Sequence, residues 1–317
     1  MALPSPIRLH PAPPARRPGL DLLQPEALSR INRLELVAHQ VMDGYVQGLH
    51  RSSHLGFAVD FLQHRQYSPG DDIKRIDWRL YAKADRYYIK QYEVTTNLRA
   101  QIIFDCSGSM AYQGRNEPLS KFRYGQFVAA CLAYLILHQQ DSAGLITVAN
   151  DVCEFIPPRP TPAHLMNILA ALERVRPAES SRLAPHLHRI AEQLVHRSMV
   201  ILISDMFEKT EDFIQALHHF RHRRHEVILL QVMADDELTF PFRQWTLFKN
   251  MEAKTHRVQL DPALIRRQYL QNVAAHLAAI RKAAGTLRIS HLLLNTTRPF
   301  DEALTAYLAY RMQTRRL

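Results

Sequence analysis

At 317 residues and 47% hydrophobic side chains, the chain has the composition of a globular protein with room for two domains, or for one large domain with extensions. Its formal net charge of +10 sits toward the two ends, because residues 100–235 carry 13 basic and 14 acidic side chains, which argues against a polyanion as ligand of that central segment. Three scattered cysteines, Cys106, Cys131 and Cys153, exclude a disulfide framework and a paired zinc site and read as buried thiols, and no apolar run approaches the roughly 20 residues of a membrane helix.

In chain order, residues 1–26 hold seven prolines, a composition that favours an extended, solvated arm over a packed core. Residues 1–20 contain no apolar run resembling a signal-peptide core, so a cytoplasmic protein without membrane insertion is expected. From 25 to 50 the apolar positions Ile31, Leu34, Leu36, Val37, Val41 and Met42 recur at helical spacing, with Ser29 as one possible cap. Residues 55–98 mix short apolar pieces with the turn signal Pro69-Gly70, and 86–92 alternates as a strand does. The span 27–98 is thus expected to form an N-terminal accessory module.

From residue 99 to the end the pattern becomes one of short apolar strands separated by helices. Strands are expected at 100–104, 143–148, 152–156, 199–203, 226–233 and 287–294. Helices are expected at 119–138, 162–174, 184–196, 211–223, 262–284 and 300–311, with an irregular or β insertion near 236–260. This order predicts an α/β fold: a doubly wound, mainly parallel sheet covered by helices on both faces.

The first of these strands ends in Phe104-Asp105-Cys106-Ser107-Gly108-Ser109-Met110, and ligand sites form at that end of a parallel sheet. Asp105, Ser107 and Ser109 offer one carboxylate and two hydroxyls on a tight loop, hard oxygens suited to Mg²⁺, Mn²⁺ or Ca²⁺. A second apolar strand ends in Ile203-Ser204-Asp205, whose carboxylate would emerge beside Asp105 if the strands are neighbours. The bland alternative is that Asp105 and the serines merely cap the following helix.

Asp-x-Ser-x-Ser after a first strand and Ser-Asp after a fourth resemble the metal-ion-dependent adhesion site of von Willebrand factor type A domains. That resemblance implies Mg²⁺ (or Mn²⁺) held by Asp105, Ser107, Ser109 and Asp205, with a further hydroxyl from the loop 177–183. Ser181 is the choice there and Ser180 the alternative; the family usually has threonine. Upstream, Arg65-Gln66-Tyr67-Ser68-Pro69-Gly70-Asp71-Asp72 and Ile76-Asp77-Trp78 resemble the signature of the bacterial domain of unknown function 58 family. Members of that family commonly accompany MoxR-type AAA+ ATPases, which implies a metal-dependent adaptor that joins such an ATPase to an acidic-residue-bearing client during assembly or maturation of a complex.

Other signals favour structural readings. Asp71, Asp72, Asp77 and Trp78 suit a turn and a packing anchor. The cluster from His218 to His225 reads as a solvated basic helix face, and His186 and His188 as surface residues. Cys106 lacks an activating histidine nearby in sequence and should point into the core. An enzyme performing metal-assisted hydrolysis or phosphoryl transfer with Asp105 as nucleophile or base is the alternative class. No glycine-rich phosphate loop ending in Lys-Ser or Lys-Thr accompanies it. Nucleic-acid binding by the basic ends would instead show strong salt dependence and no metal requirement.

Overall fold

The computed structural model describes residues 25, 28, 33–42, 64–66, 88–90, 98–178, 183–251 and 257–314. Upstream of residue 98 these comprise a helix α1, in which an α-helical turn Leu34–Leu36 runs into a π-helical turn Val37–Val41. They also comprise an antiparallel pair, β1 (His64–Gln66) and β2 (Tyr88–Lys90). Ser29, Asp71, Asp72, Asp77, Trp78, Ser180 and Ser181 lie outside the described residues.

The chain then alternates through β3 (Arg99–Asp105), α2 (Lys121–His138), β4 (Ser142–Val148), β5 (Val152–Arg159), α3 (His164–Arg174), α4 (Leu183–Gln193) and β6 (Met199–Ser204). It continues through α5 (Thr210–His222), β7 (Glu226–Met233), α6 (Asp235–Thr239), β8 (Thr246–Lys249), β9 (Arg257–Leu260), α7 (Pro262–Thr286), β10 (Ser290–Asn295) and α8 (Asp301–Thr314). Six of these strands form one sheet in the order β10-β7-β6-β3-β4-β5. All its pairings are parallel except β4 with β5.

The architecture is the expected doubly wound α/β fold, and its strand order reverses at β3. From there β4 and β5 build outward one way, and β6, β7 and β10 the other. Such a reversal opens a crevice outside the carboxyl ends of the strands. Register fixes what flanks it: Phe104 lies opposite Ile203, so Asp105 and Ser204 leave the sheet side by side.

Alternation along the strands sends side chains to two cores. Ile102 and Phe104 join Ile201 and Ile203 under α2, α3 and α8, whereas Ile103 joins Val200 and Leu202 under α4, α5 and α7. Burial on both faces explains why β6 reads as a continuous apolar run, with all six residues buried. Leu34, Val37 and Ala38 of α1, with Met42 directly after it, are fully buried in the first core. Helix α2 is buried almost all round, and its first turn is capped by Ser120, whose Oγ accepts from the Arg123 N–H at 3.2 Å. Gly125 permits its close approach to the sheet, since a Cβ there would stand 2.8 Å from Cε2 of Phe104.

Four expectations are corrected. The strand at 152–156 extends to Arg159 and runs antiparallel at the sheet edge, where Pro157 and Pro158, which have no N–H to donate, are tolerated because no further strand needs a donor there. The last strand begins at Ser290, not 287, because α7 continues to Thr286 and Arg288 turns the chain with φ 54°. Cys153 is exposed on β5 rather than buried, while Cys106 and Cys131 are buried as expected. His225 is not part of a solvated face: it is buried, and its Nδ1 accepts from the Ser198 N–H at 3.2 Å. The insertion near 236–260 contains α6 and the antiparallel hairpin β8–β9, from which Phe248 reaches Phe240 and Phe242. Among the described residues no helix is long and apolar enough to cross a membrane.

Candidate metal centre

Asp105 is the last residue of β3 and Ser107 follows at the entrance to a 3-10 turn, Gly108–Ala111. The Asp105 carboxylate is buried, 2% exposed, and both oxygens are engaged: Oδ1 accepts from the Ser107 N–H at 2.8 Å and Oδ2 from the Ser204 hydroxyl at 2.6 Å. The first bond folds the loop back on the strand end. The second crosses to β6, so the two strand ends are joined by a side-chain bond as well as by the sheet.

Ser107 Oγ and Ser109 Oγ lie 3.0 Å apart. That spacing is a hydrogen bond between the two hydroxyls, and it also equals the edge of an octahedron of oxygens about 2.1 Å from Mg²⁺, about 3.0 Å. These hydroxyls, Asp105, Ser204 and Asp205 line one small cleft, together with Leu183 and the loop Met206 to Glu208. The donor set is entirely oxygen, it carries few charges, and it fits a hard divalent ion. The remaining loop hydroxyl lies outside the described residues, but both described flanks of 179–182 reach the site. The Ala178 N–H donates to the Cys106 carbonyl at 2.8 Å, and Leu183 lines the cleft.

Burial, reinforced by the nearby Asp205 carboxylate, pushes the Asp105 carboxyl up from 3.8 to about 7, against the opposing hydrogen bonds from Ser204 and Ser107. A cation in the cleft would reverse that shift. Cys106 inside the motif offers no competing nucleophile, because burial pushes its thiol up and the side chain packs in the core.

Asp205 departs from a simple ligand. Its Oδ1 accepts from the Phe207 N–H at 3.1 Å, and its Oδ2 meets the ammonium of Lys121 at 2.8 Å. Lys121 is fully buried and bonds also to Glu237 Oε1 at 2.7 Å, with its Nζ 5.0 Å from the Phe207 ring centroid. Burial alone would push this ammonium down, yet Asp205 and Glu237 outweigh it and hold the group protonated. Met206 follows with φ 59°, a left-handed residue that turns the backbone so that its N–H donates to Ser204 Oγ at 2.9 Å.

The structure therefore brings Asp105, Ser107, Ser109 and Asp205 together. Lys121 and Glu237 are the members that sequence reasoning missed. The available signal was a lysine, with Arg123 beside it, in the first turn of a mostly apolar helix, the end where the helix dipole disfavours a cation. His188 and His219, read as surface residues, are half-buried and meet through their Nδ1 atoms at 3.2 Å, away from this cleft.

A doubly wound α/β domain with an oxygen-lined cleft at its topological switch point is the class of protein that fold and site define. The chain belongs to the family described as Protein of unknown function DUF58, which matches residues 63–279. Uncharacterized proteins of Mycobacterium tuberculosis strain H37Rv and of Mycobacterium bovis are each 23% identical to it over 303 residues, covering 94% of this chain and 94% of theirs. Similar solved structures include the conserved hypothetical protein BatB from Bacteroides thetaiotaomicron, 13% identical with a TM-score of 0.44 over 69% of this chain and 98% of that one. The SpRpn10 VWA domain is 10% identical with a TM-score of 0.33, over 43% of this chain and 76% of that one.

Proposed function

We propose that this protein is a metal-ion-dependent protein-binding adaptor. Asp105, Ser107 and Ser109 would hold Mg²⁺ or Mn²⁺, with a hydroxyl from Ser181, or its neighbour Ser180, and with Asp205 as the outer carboxylate. The observation that carries the reading is the pair of hydroxyls 3.0 Å apart beside a buried carboxylate at the switch point of the sheet. A bound divalent ion supplies an electrophilic centre open to a carboxylate from another protein, and neutral hydroxyl ligands leave more of its charge for that carboxylate.

The partners that fit are a client presenting an exposed Asp or Glu and a MoxR-type AAA+ ATPase, the latter proposed from the family's association. The setting proposed is cytoplasmic assembly or maturation of a protein complex. The direct test is co-purification of the tagged chain with a MoxR-type ATPase and its client in Mg²⁺ and in EDTA, beside Ser107→Ala. Retention in Mg²⁺ that is lost in EDTA and in the variant supports the reading. Capture indifferent to both would reject the metal bridge and move the interface elsewhere.

A further inference from the structure

We infer that Lys121 is an internal counter-cation that occupies Asp205, so that the cleft holds its divalent ion loosely and the ion in turn holds an acidic ligand tightly. This rests on the metal reading above and adds a residue that sets how the site divides its charge. Its basis is geometric. Lys121 has no exposed surface, and its Nζ lies 2.8 Å from Asp205 Oδ2 and 2.7 Å from Glu237 Oε1. The other oxygen of Asp205 accepts from the Phe207 N–H at 3.1 Å, and its main-chain carbonyl accepts from Gln231 Nε2 at 3.0 Å. Both carboxylate oxygens are thus committed to protein donors before an ion arrives.

With Lys121 as ammonium, the cluster of Asp105, Asp205, Glu237 and the cleft-lining Glu208 carries one negative charge fewer than its carboxylates alone would give it. A carboxylate from a partner then approaches a less negative cluster around the ion. Without the ammonium the same groups would carry one more negative charge. The ion would be held more strongly, and the incoming carboxylate would meet more repulsion. Coulomb energy between a unit charge and a divalent ion a few ångströms away, even at the dielectric constant of water, corresponds to about tenfold or more in affinity. Lys121 is therefore a positioning and charge-setting residue, reaching the ion only through Asp205.

The test compares wild type, Lys121→Met, and the double variant Lys121→Met with Glu237→Gln. The double variant keeps the net charge while freeing Asp205, and it leaves fewer buried charges uncompensated should the single variant fail to fold. Mn²⁺ is titrated into each by calorimetry. Acetate is then titrated into each Mn²⁺-saturated protein, with water-proton relaxation reporting displacement of ion-bound water. The expected result is Mn²⁺ affinity raised about tenfold or more in the single variant, and raised by less in the double variant because Asp205 lines the cleft and Glu237 does not. Acetate affinity should fall in the single variant.

Opposite signs for the two affinities separate this role from a structural one, since damage to the fold would weaken both. Mn²⁺ bound by wild type but no more tightly by a cooperatively melting variant would overturn the counter-cation role alone. No Mn²⁺ binding by any of the three, each shown to be folded, would overturn the metal reading and this inference with it.

Discussion

Replacing Asp105 by Asn should make the metal-free protein more stable at alkaline pH while abolishing its response to Mg²⁺. The carboxyl is displaced from 3.8 to about 7 in the fold, first by burial and then by Asp205. A group whose folded pKa lies above its unfolded one binds its proton more tightly in the fold. Its contribution therefore favours the folded state in acid, declines as pH rises from about 4, and is fully lost above about 7. At about 1.4 kcal/mol per pH unit the gap amounts to about 4 kcal/mol, an upper bound because water entering the cleft screens the charges.

Asn keeps the size and can still accept from the Ser107 N–H, but the bond to Ser204 reverses, the amide donating to Ser204 Oγ, so the difference between the two proteins reports the charge together with that one exchanged bond. Thermal melts in EDTA should show Asn above Asp at pH 8 by up to about 8 °C, at roughly 2 °C per kcal/mol for a chain of this size, and by much less at pH 5. Addition of Mg²⁺ at pH 8 should raise the melting temperature of the wild type and leave the variant where it was. An Asn variant less stable than wild type in EDTA at pH 8, or one stabilised equally by Mg²⁺, would refute the argument that Asp105 is a desolvated carboxylate awaiting a cation.

Two other consequences are open to measurement. Because the ion competes with a proton on Asp105, Mn²⁺ affinity measured by calorimetry should drop about tenfold per pH unit below 7 and level off above it. A flat profile from pH 5 to 8 would remove Asp105 from the site. Gly144→Ala should destabilise the fold by about 3 kcal/mol or more, because a Cβ there would lie 2.7 Å from the Ile156 carbonyl oxygen and 2.8 Å from the Pro158 nitrogen, both backbone atoms of β5. Denaturant unfolding is the assay, and a change within about 0.5 kcal/mol would mean that the edge strand yields freely.

The sheet was legible because its central strands are buried on both faces and so announce themselves as apolar runs, as in Met199–Ser204. What hid from view depends on pairing. The antiparallel sense of β5 and its extension through Pro157 and Pro158 follow from its place at an edge, which periodicity does not encode. Asp105, Ser107 and Ser109 could be read as a unit because they share one loop, and Asp205 could be added because it ends a second apolar run. The neutralisation of Asp205 could not, since Lys121 and Glu237 are 84 and 32 residues from it and meet it only through the fold. Burial of His225 was similarly hidden within a polar stretch: it begins the return from α5 to β7, where Phe220 packs against its ring.

The loop that presents Ser107 and Ser109 is held before any ligand arrives, and this determines what a distant substitution should do. Tyr112 donates to Asp236 Oδ2 at 3.2 Å and the Arg115 N–H to the same oxygen at 2.9 Å, tying the loop to α6. Glu117, 7% exposed, accepts from the Asp235 N–H at 2.6 Å and from the Thr296 hydroxyl, which links the same loop to the end of β10. Glu117→Ala would leave the Asp235 N–H without its acceptor, at a cost of about 1–3 kcal/mol, and would remove the loop's links to Asp235 and Thr296, leaving only the Tyr112 and Arg115 bonds to Asp236 among those ties. Since Glu117 does not line the cleft, any loss of Mn²⁺ affinity in this variant measures the free energy needed to reorder the loop. The expected outcome is weaker Mn²⁺ binding that recovers at lower temperature, where the loop reorders more readily. A destabilised variant with unchanged affinity at every temperature would show that Ser107 and Ser109 are held by the Asp105 turn alone.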